Sequence, residues 1–218
     1  MGVYHLMGLG QSVGAVTGPL SYLAYRYQRN NDEDRDFFSR SGERKHRAEH
    51  QRVGDIQVII LFTTREIISG ALPTFEYIEN PDGRTAQGPF VKGGEMQKTL
   101  AGALKKVLSP STSFVHSSIR VYWCEVDRRD IDATYARVAQ IIAALAGVGS
   151  VGKELWVNLT SGNNVTQLVL QFATSLSGEV ARMYYVQAAD NCCKVYALYE
   201  RDRLLDRIAR HAAPTRCV

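Results

Sequence analysis

Apolar runs of strand length alternate with stretches of helical periodicity along almost the whole of this 218-residue chain. That alternation constrains the fold severely, because parallel strands need crossovers and the crossover helices cover both faces of the sheet. Strands are expected over residues 3–8, 55–63, 118–127, 154–159 and 181–187, with an edge strand over 194–198. Helices are expected over 15–28, 95–108, 130–146, 163–176 and 200–211. The first of them has Thr17 or the Gly18-Pro19 step near its start. Val58-Ile59-Ile60-Leu61-Phe62 has no polar face, as a strand covered on both sides requires. In the helix over 130–146, Asp130 is placed to cap. Ile131, Tyr135, Val138, Ile141, Ile142 and Leu145 recur there at helical spacing. The fold class is α/β: a mainly parallel central sheet with helices on both faces.

Two segments break the rhythm. Residues 29–52 hold seven basic and six acidic side chains with little apolar periodicity, which reads as a solvated, charged insertion. Residues 74–94 contain Pro81-Asp82-Gly83, Gly88-Pro89 and Gly93-Gly94. Phe75-Glu76-Tyr77-Ile78 and the run 87–91 can pair around the first of these turns as a β-hairpin insertion, a flap beside a ligand. The expected organisation is one domain over 1–199, followed by a C-terminal helix and tail over 200–218.

Composition narrows the function classes. A net charge of +4 is too small to announce a long nucleic acid as partner, but it suits a small anion, especially if two chains pool their charge. No apolar run approaches the roughly 20 residues that span a bilayer, so no membrane association is expected. The N-terminus reads directly as a strand rather than as a leader, and a cytoplasmic location is expected. Cys124, Cys192, Cys193 and Cys217 form no C-x-x-C pair and have no histidine at ligand spacing, so no metal site and no cofactor are expected. Cys124 and the Cys192–Cys193 pair fall in strand-like runs, as buried reduced thiols do.

The chemistry is concentrated in two segments about 150 residues apart, each where a strand runs into a helix. The first is Gly8-Leu9-Gly10-Gln11-Ser12-Val13-Gly14-Ala15-Val16-Thr17 and the second Asn158-Leu159-Thr160-Ser161-Gly162-Asn163-Asn164. Small side chains, free backbone N–H groups and a helix N-terminus favour phosphate at such junctions. A dinucleotide fingerprint fits poorly, since the third glycine is one place late and the second strand ends near Thr63-Thr64-Arg65 without the expected acid. No Tyr-x-x-x-Lys pair suits hydride chemistry, and no Gly-Lys-Ser/Thr closes a P-loop.

Leu9-Gly10-Gln11-Ser12-Val13-Gly14-Ala15-Val16-Thr17 resembles the "LGxSPGxVT" signature of the CRISPR-associated Rossmann fold (CARF) family. Asn158-Leu159-Thr160-Ser161-Gly162-Asn163-Asn164 is similar to that family's second signature, usually N-x-T-G-G-x-K. The resemblance implies a Rossmann-like domain that pairs as a homodimer and binds a cyclic oligoadenylate, with cyclic tetra-adenylate expected here. A lone unit of this kind resembles the ring nucleases, which linearise the messenger of type III CRISPR defence without a metal. The alternative is a non-catalytic sensor that regulates a partner protein.

On this resemblance Ser12 and Asn164 are the expected catalytic residues. Gly10, Gln11, Val13, Gly14, Thr17, Thr63, Thr160, Ser161, Gly162, Asn163 and Lys92 are the expected ligand contacts. The chain departs from the pattern twice: Val13 replaces a proline, and Asn164 stands where lysine is usual. An amide supplies no cation, so Lys153, Arg120, Arg65 and Lys92, on the expected flap, are candidates to replace it. His5 and His116 can sit near strand ends, although a structural role is the default for both.

Overall fold

The computed structural model describes residues 2–29, 37–38, 56–69, 96–108, 115–189 and 192–200. The chain runs through β1 (Val3–Gly8), α1 (Gly14–Arg29), β2 (Ile56–Thr63), the short α2 (Arg65–Ser69), α3 (Met96–Val107) and β3 (Val115–Glu125). It continues through α4 (Ile131–Ala144), a 3-10 turn (Val148–Val151), β4 (Glu154–Asn158), α5 (Asn164–Ser177), β5 (Arg182–Ala189) and β6 (Cys192–Glu200). The six strands form one sheet in the order β3-β2-β1-β4-β5-β6. Strands β1 to β5 pair in parallel, and β6 lies antiparallel on the edge beside β5. This is the α/β, Rossmann-like sheet that the alternation implies, with β1 and β4 side by side where the strand order reverses.

The two-residue period of the strands divides their apolar side chains between two cores. Val3, Met7, Ile59, Leu61, Trp156 and Tyr184 pack with Leu20 and Leu23 of α1 and with Met96, Leu100 and Leu104 of α3. Leu6, Val58, Ile60, Phe62, Leu155, Val157 and Met183 pack with Val138 and Ile142 of α4 and with Val169, Leu170 and Ala173 of α5. Helices therefore cover both faces.

Several boundaries shift for identifiable reasons. Helix α1 opens at Gly14, ahead of Thr17 and the Gly18-Pro19 step. The Ser12 carbonyl accepts from Ala15 at 3.2 Å, and the Val13 carbonyl accepts from Val16 and Thr17 at 3.1 and 3.0 Å. Strand β3 starts before residue 118 and stops at Glu125: the Val126 N–H makes the last ladder bond, to the Thr63 carbonyl at 2.9 Å, and the chain then turns, the Asp130 N–H bonding the Asp127 carbonyl at 3.2 Å. Asp130 caps α4 as expected, accepting from the Ala133 N–H at 2.9 Å. The buried stripe of α4 is nonetheless Thr134, Val138 and Ile142, so Ile131 and Tyr135 fall to one side and are exposed at 45% and 38%. The stretch Ile131–Val151 has the length and apolarity of a membrane span, contrary to the expectation from the sequence. Here it is α4 and a separate turn, divided by Gly147 in the left-handed region at φ 83° and laid on the sheet.

The charged segment gives the clearest correction. Phe37 and Phe38, the described residues within 30–52, are buried in the core rather than solvated. Phe38 stacks on Trp156 with ring centroids 6.0 Å apart, and Tyr27 meets its edge at 5.1 Å. The guanidinium groups of Arg26 and Arg182 lie 4.9 and 4.8 Å from the Phe37 ring, and Arg182 is also 4.8 Å from Trp156. Cations over aromatic faces keep their electrostatic attraction when desolvated. The rest of that segment, the hairpin expected over 74–94 and the helix expected over 200–211 lie outside the described residues. The Cys124 thiol is half-buried, and burial pushes its pKa up; the side chains of Cys192 and Cys193 lie outside the described residues.

His5 sits in the middle of β1, not near a strand end, and is wholly buried. Its ring meets Trp156 edge-on at 5.6 Å, and its Nδ1 lies 3.1 Å from the Tyr184 hydroxyl. Burial lowers its pKa from 6.5 to about 3.

Two outcomes follow. Phe38→Ala should cost about 3–5 kcal/mol in urea unfolding, and a loss below about 1 kcal/mol would place the ring outside the core. Because the folded-state pKa of His5 lies below the unfolded value, its contribution is complete above pH 6.5 and drains away as pH falls toward 3. Between pH 6.5 and about 5 the native chain should lose up to about 1.4 kcal/mol per pH unit that His5→Gln does not lose. Parallel pH profiles for the two proteins would contradict a neutral, buried His5.

Candidate functional site

Gly8 ends β1, and Gly162 lies in the loop after β4. A Cβ built on Gly8 would stand 2.5 Å from the Ser161 carbonyl oxygen and 2.7 Å from the Gly162 Cα. A Cβ on Gly162 would lie 2.9 Å from the Gly8 Cα, and Gly162 itself holds φ +112°. The two backbones touch, so only glycine fits at either position. This contact brings together the loops that the sequence separates by some 150 residues.

Each loop is held by its own bonds. In the first, the Leu9 N–H donates to the Phe62 carbonyl at 2.9 Å and the Thr63 hydroxyl donates to the Leu9 carbonyl at 2.8 Å. In the second, the Thr160 N–H donates to Asn158 Oδ1 at 2.6 Å, and the Thr160 hydroxyl accepts the Val186 N–H at 2.8 Å. Asn163 caps α5, its Oδ1 accepting from the Thr166 N–H at 2.9 Å and from the Thr166 hydroxyl at 3.1 Å. Helices α1 and α5 therefore both begin at this place, each turning the partial positive charge of its N-terminus toward it, although the Ala15, Val16 and Thr17 N–H groups of α1 are engaged by the Ser12 and Val13 carbonyls.

Between the loops lies a cavity of about 390 Å³. The first loop lines it with Leu9, Gly10, Gln11, Ser12 and, one step into α1, Ala15. The second contributes Thr160, Ser161, Gly162 and Asn163. Thr64, Glu66 and Ile67 enter from the end of β2, and Arg128 enters from the turn after β3. All four lining segments follow the carboxyl ends of parallel strands, at and beside the reversal of strand order. Ser161 is 1% exposed, and its hydroxyl has no hydrogen-bond partner among the described residues. A buried polar atom left in that state calls for a missing partner, and this one borders the cavity.

Seven of the expected site residues meet in the cavity: Gly10, Gln11, Ser12, Thr160, Ser161, Gly162 and Asn163. Others do not line it. Val13 turns its side chain into the core, and the Thr17 hydroxyl bonds back to the Val13 carbonyl at 3.2 Å. Thr63 is fully buried and pins the first loop from below. Gly14 and Asn164, the first residues of α1 and α5, are exposed outside the lining. Of the replacement cations, Lys153 stands at the opposite end of β4, its Nζ 3.3 Å from the Tyr4 hydroxyl. Arg120 lies within β3, paired with Val58, and Arg65 is exposed outside the lining. Lys92 lies outside the described residues, as does the side chain of His116.

Arg128 and Glu66 are the charged lining residues that sequence reading missed. Both lie just past the carboxyl end of a strand, and that position is the signal that would have found them. The acid absent from the end of β2 at Thr63-Thr64-Arg65 is thus present one residue later, as Glu66.

No family model matches the chain. It is 26% identical over 197 residues to an uncharacterized protein of Archaeoglobus fulgidus, with 85% of this chain aligned. The chain spans 57% of the length of that relative. Among solved structures it is similar to protein VC1899 from Vibrio cholerae, at a TM-score of 0.47 and 12% identity over 91% of this chain and 33% of the other. It is also similar to Enterococcus italicus Csm6 bound to cyclic hexa-2'-fluoro-hexa-dAMP, at a TM-score of 0.40 and 14% identity over 100% of this chain and 40% of the other. At these scores the two likenesses carry no weight for function; the parallel sheet and its cavity stand on their own geometry.

Proposed function

We propose that this cavity binds a cyclic oligoadenylate, cyclic tetra-adenylate first among them, across the two-fold axis of a homodimer in the cytoplasm. The observation that carries the reading is the convergence of two signature-bearing loops on one cavity, with two helix N-termini and a Ser161 hydroxyl that is unpaired among the described residues. The Ser12 and Ser161 hydroxyls, two helix N-termini and Arg128 offer donors on that wall, as an anionic ligand requires. A two-fold pair of such cavities presents each set twice, matching a ring with repeated phosphates.

The reading includes ring opening. A ribose 2′-oxygen attacks its adjacent phosphorus, the bond to the 5′-oxygen breaks, and the 2′-hydroxyl proton is replaced by one gained at the 5′-oxygen. The product is linear and carries a 2′,3′-cyclic phosphate, with no water consumed and no metal required. Ser12 and the positive end of α1 would hold the phosphate oxygens as their charge grows. Thr160 accepts from Val186 but keeps its own O–H to donate. The Asn163 oxygen is engaged in the cap, which leaves its amide N–H groups for the ligand. Asn164 has no part in this scheme, because it lies outside the lining. The absence of a motif lysine favours the alternative of a sensor that holds the ring intact and regulates a partner.

Incubation with cyclic tetra-adenylate in the presence of a chelator separates these outcomes. Linear products carrying the 2′,3′-cyclic phosphate support cleavage, a stable unaltered complex supports the sensor, and no binding ends the proposal. Ser12→Ala should slow ring opening about 100-fold while changing affinity less than about threefold. Equal losses in rate and affinity would reduce Ser12 to a binding contact.

A further inference from the structure

Two charged side chains of the cavity have no role in that scheme: Glu66, the second residue of α2, and Arg128, in the turn between β3 and α4. Glu66 is half-buried. A hydrogen bond from the Thr64 side chain, with a backbone hydrogen bond and the charges of Arg128 and Arg129, holds its carboxyl below the usual range. At neutral pH it is therefore an anion that can only accept hydrogen bonds. A bare phosphate would be repelled by it. A ligand that offers a hydroxyl at that spot would not, and in dinucleotide-binding sheets an acid after the second strand accepts from a ribose hydroxyl in this way.

Arg128 is complementary. Its turn is fixed on three sides: the Val126 N–H on the Thr63 carbonyl at 2.9 Å, the Arg129 N–H on Asp127 Oδ1 at 2.8 Å, and the Thr134 hydroxyl on the Asp127 carbonyl at 2.6 Å. The backbone is set while the side chain is exposed at the rim of the cavity. Its planar group has five donors in a fork that suits phosphate oxygens.

We propose that Glu66 and Arg128 read a ribose hydroxyl and its neighbouring phosphate as a pair, Glu66 accepting from the hydroxyl and Arg128 donating to the phosphate. This rests on reading the cavity as a nucleotide site, and it adds a selection for ribonucleotide over deoxyribonucleotide. Glu66 is a positioning residue in this account, orienting the hydroxyl without taking its proton. Arg128 supplies the cation that the second motif lacks.

The test is a calorimetric comparison of cyclic tetra-adenylate with its all-2′-deoxy counterpart, using the full chain and the variants Glu66→Gln and Arg128→Gln. A hydrogen bond to a charged group predicts that the unaltered chain prefers the ribo ring by about tenfold or more, and that Glu66→Gln collapses this ratio to less than about threefold. Arg128→Gln should weaken both rings by a similar factor of about ten, leave the ratio intact and flatten the salt dependence. An unchanged ratio in Glu66→Gln, or unchanged affinity in Arg128→Gln, overturns the assignment, provided that thermal melts show each variant folded. If the unaltered chain binds neither ring, the cyclic-oligoadenylate reading fails by itself. The same ratio taken with adenosine 3′-monophosphate and its 2′-deoxy analogue then judges the pair, and absence of binding there overturns it as well.

Discussion

The site depends on the backbone contact between Gly8 and Gly162. Strands β1 and β4 are neighbours in the sheet, but neighbouring strands do not by themselves bring their following loops into contact. The missing side chains do that: with any Cβ at residue 8, the Ser161 carbonyl would have to move. Ser161 would then leave the position in which its hydroxyl is buried beside the cavity, and the α5 cap would move with it. A steric constraint of two hydrogen-sized side chains thus sets the shape of a cavity lined by four segments.

Around this contact, the hydrogen bonds hold backbone and leave chemistry free. Thr63, Asn158 and Asn163 use their side-chain oxygens to fix loops, and Thr134 fixes the turn that bears Arg128. The groups left to meet a ligand include the Ser161 and Thr160 hydroxyls, the Ser12 side chain, the Asn163 amide N–H groups, the positive ends of two helices and one guanidinium. This division matches what preorganised anion sites require, since donors already in place need no reordering when charge develops. The acidic Glu66 is the exception on the wall, and an exception of that sign has meaning only for a ligand with something to donate.

Much of the fold could be read from periodicity because burial imposes it. Val58 to Phe62 is apolar throughout since it has helices on both sides, and Asp130 precedes a helix whose first N–H groups it satisfies. The order of the strands was not legible, because a period says what a run is but not which run lies beside it. Phe37 and Phe38 were hidden by the charges around them: two adjacent aromatic residues have no period, yet together they close one core over Trp156. The motif loops announced the cavity through their composition. Val13, Thr17 and Thr63 have the same residue types as ligand contacts but spend them on packing or on pinning the backbone. Arg128 and Glu66 carry no motif at all, and become visible only once strand order places their turns beside the two loops.

The central claim is that the loop after β1 and the loop after β4 act as one receptor. Hydrogen–deuterium exchange with and without saturating cyclic tetra-adenylate tests it most directly, because it reports on each loop separately. The account predicts slowed exchange in residues 10–17 and in residues 160–166 together, at the same ligand concentration. Protection of one loop while the other is unmoved, or protection confined to other parts of the sheet, would contradict it.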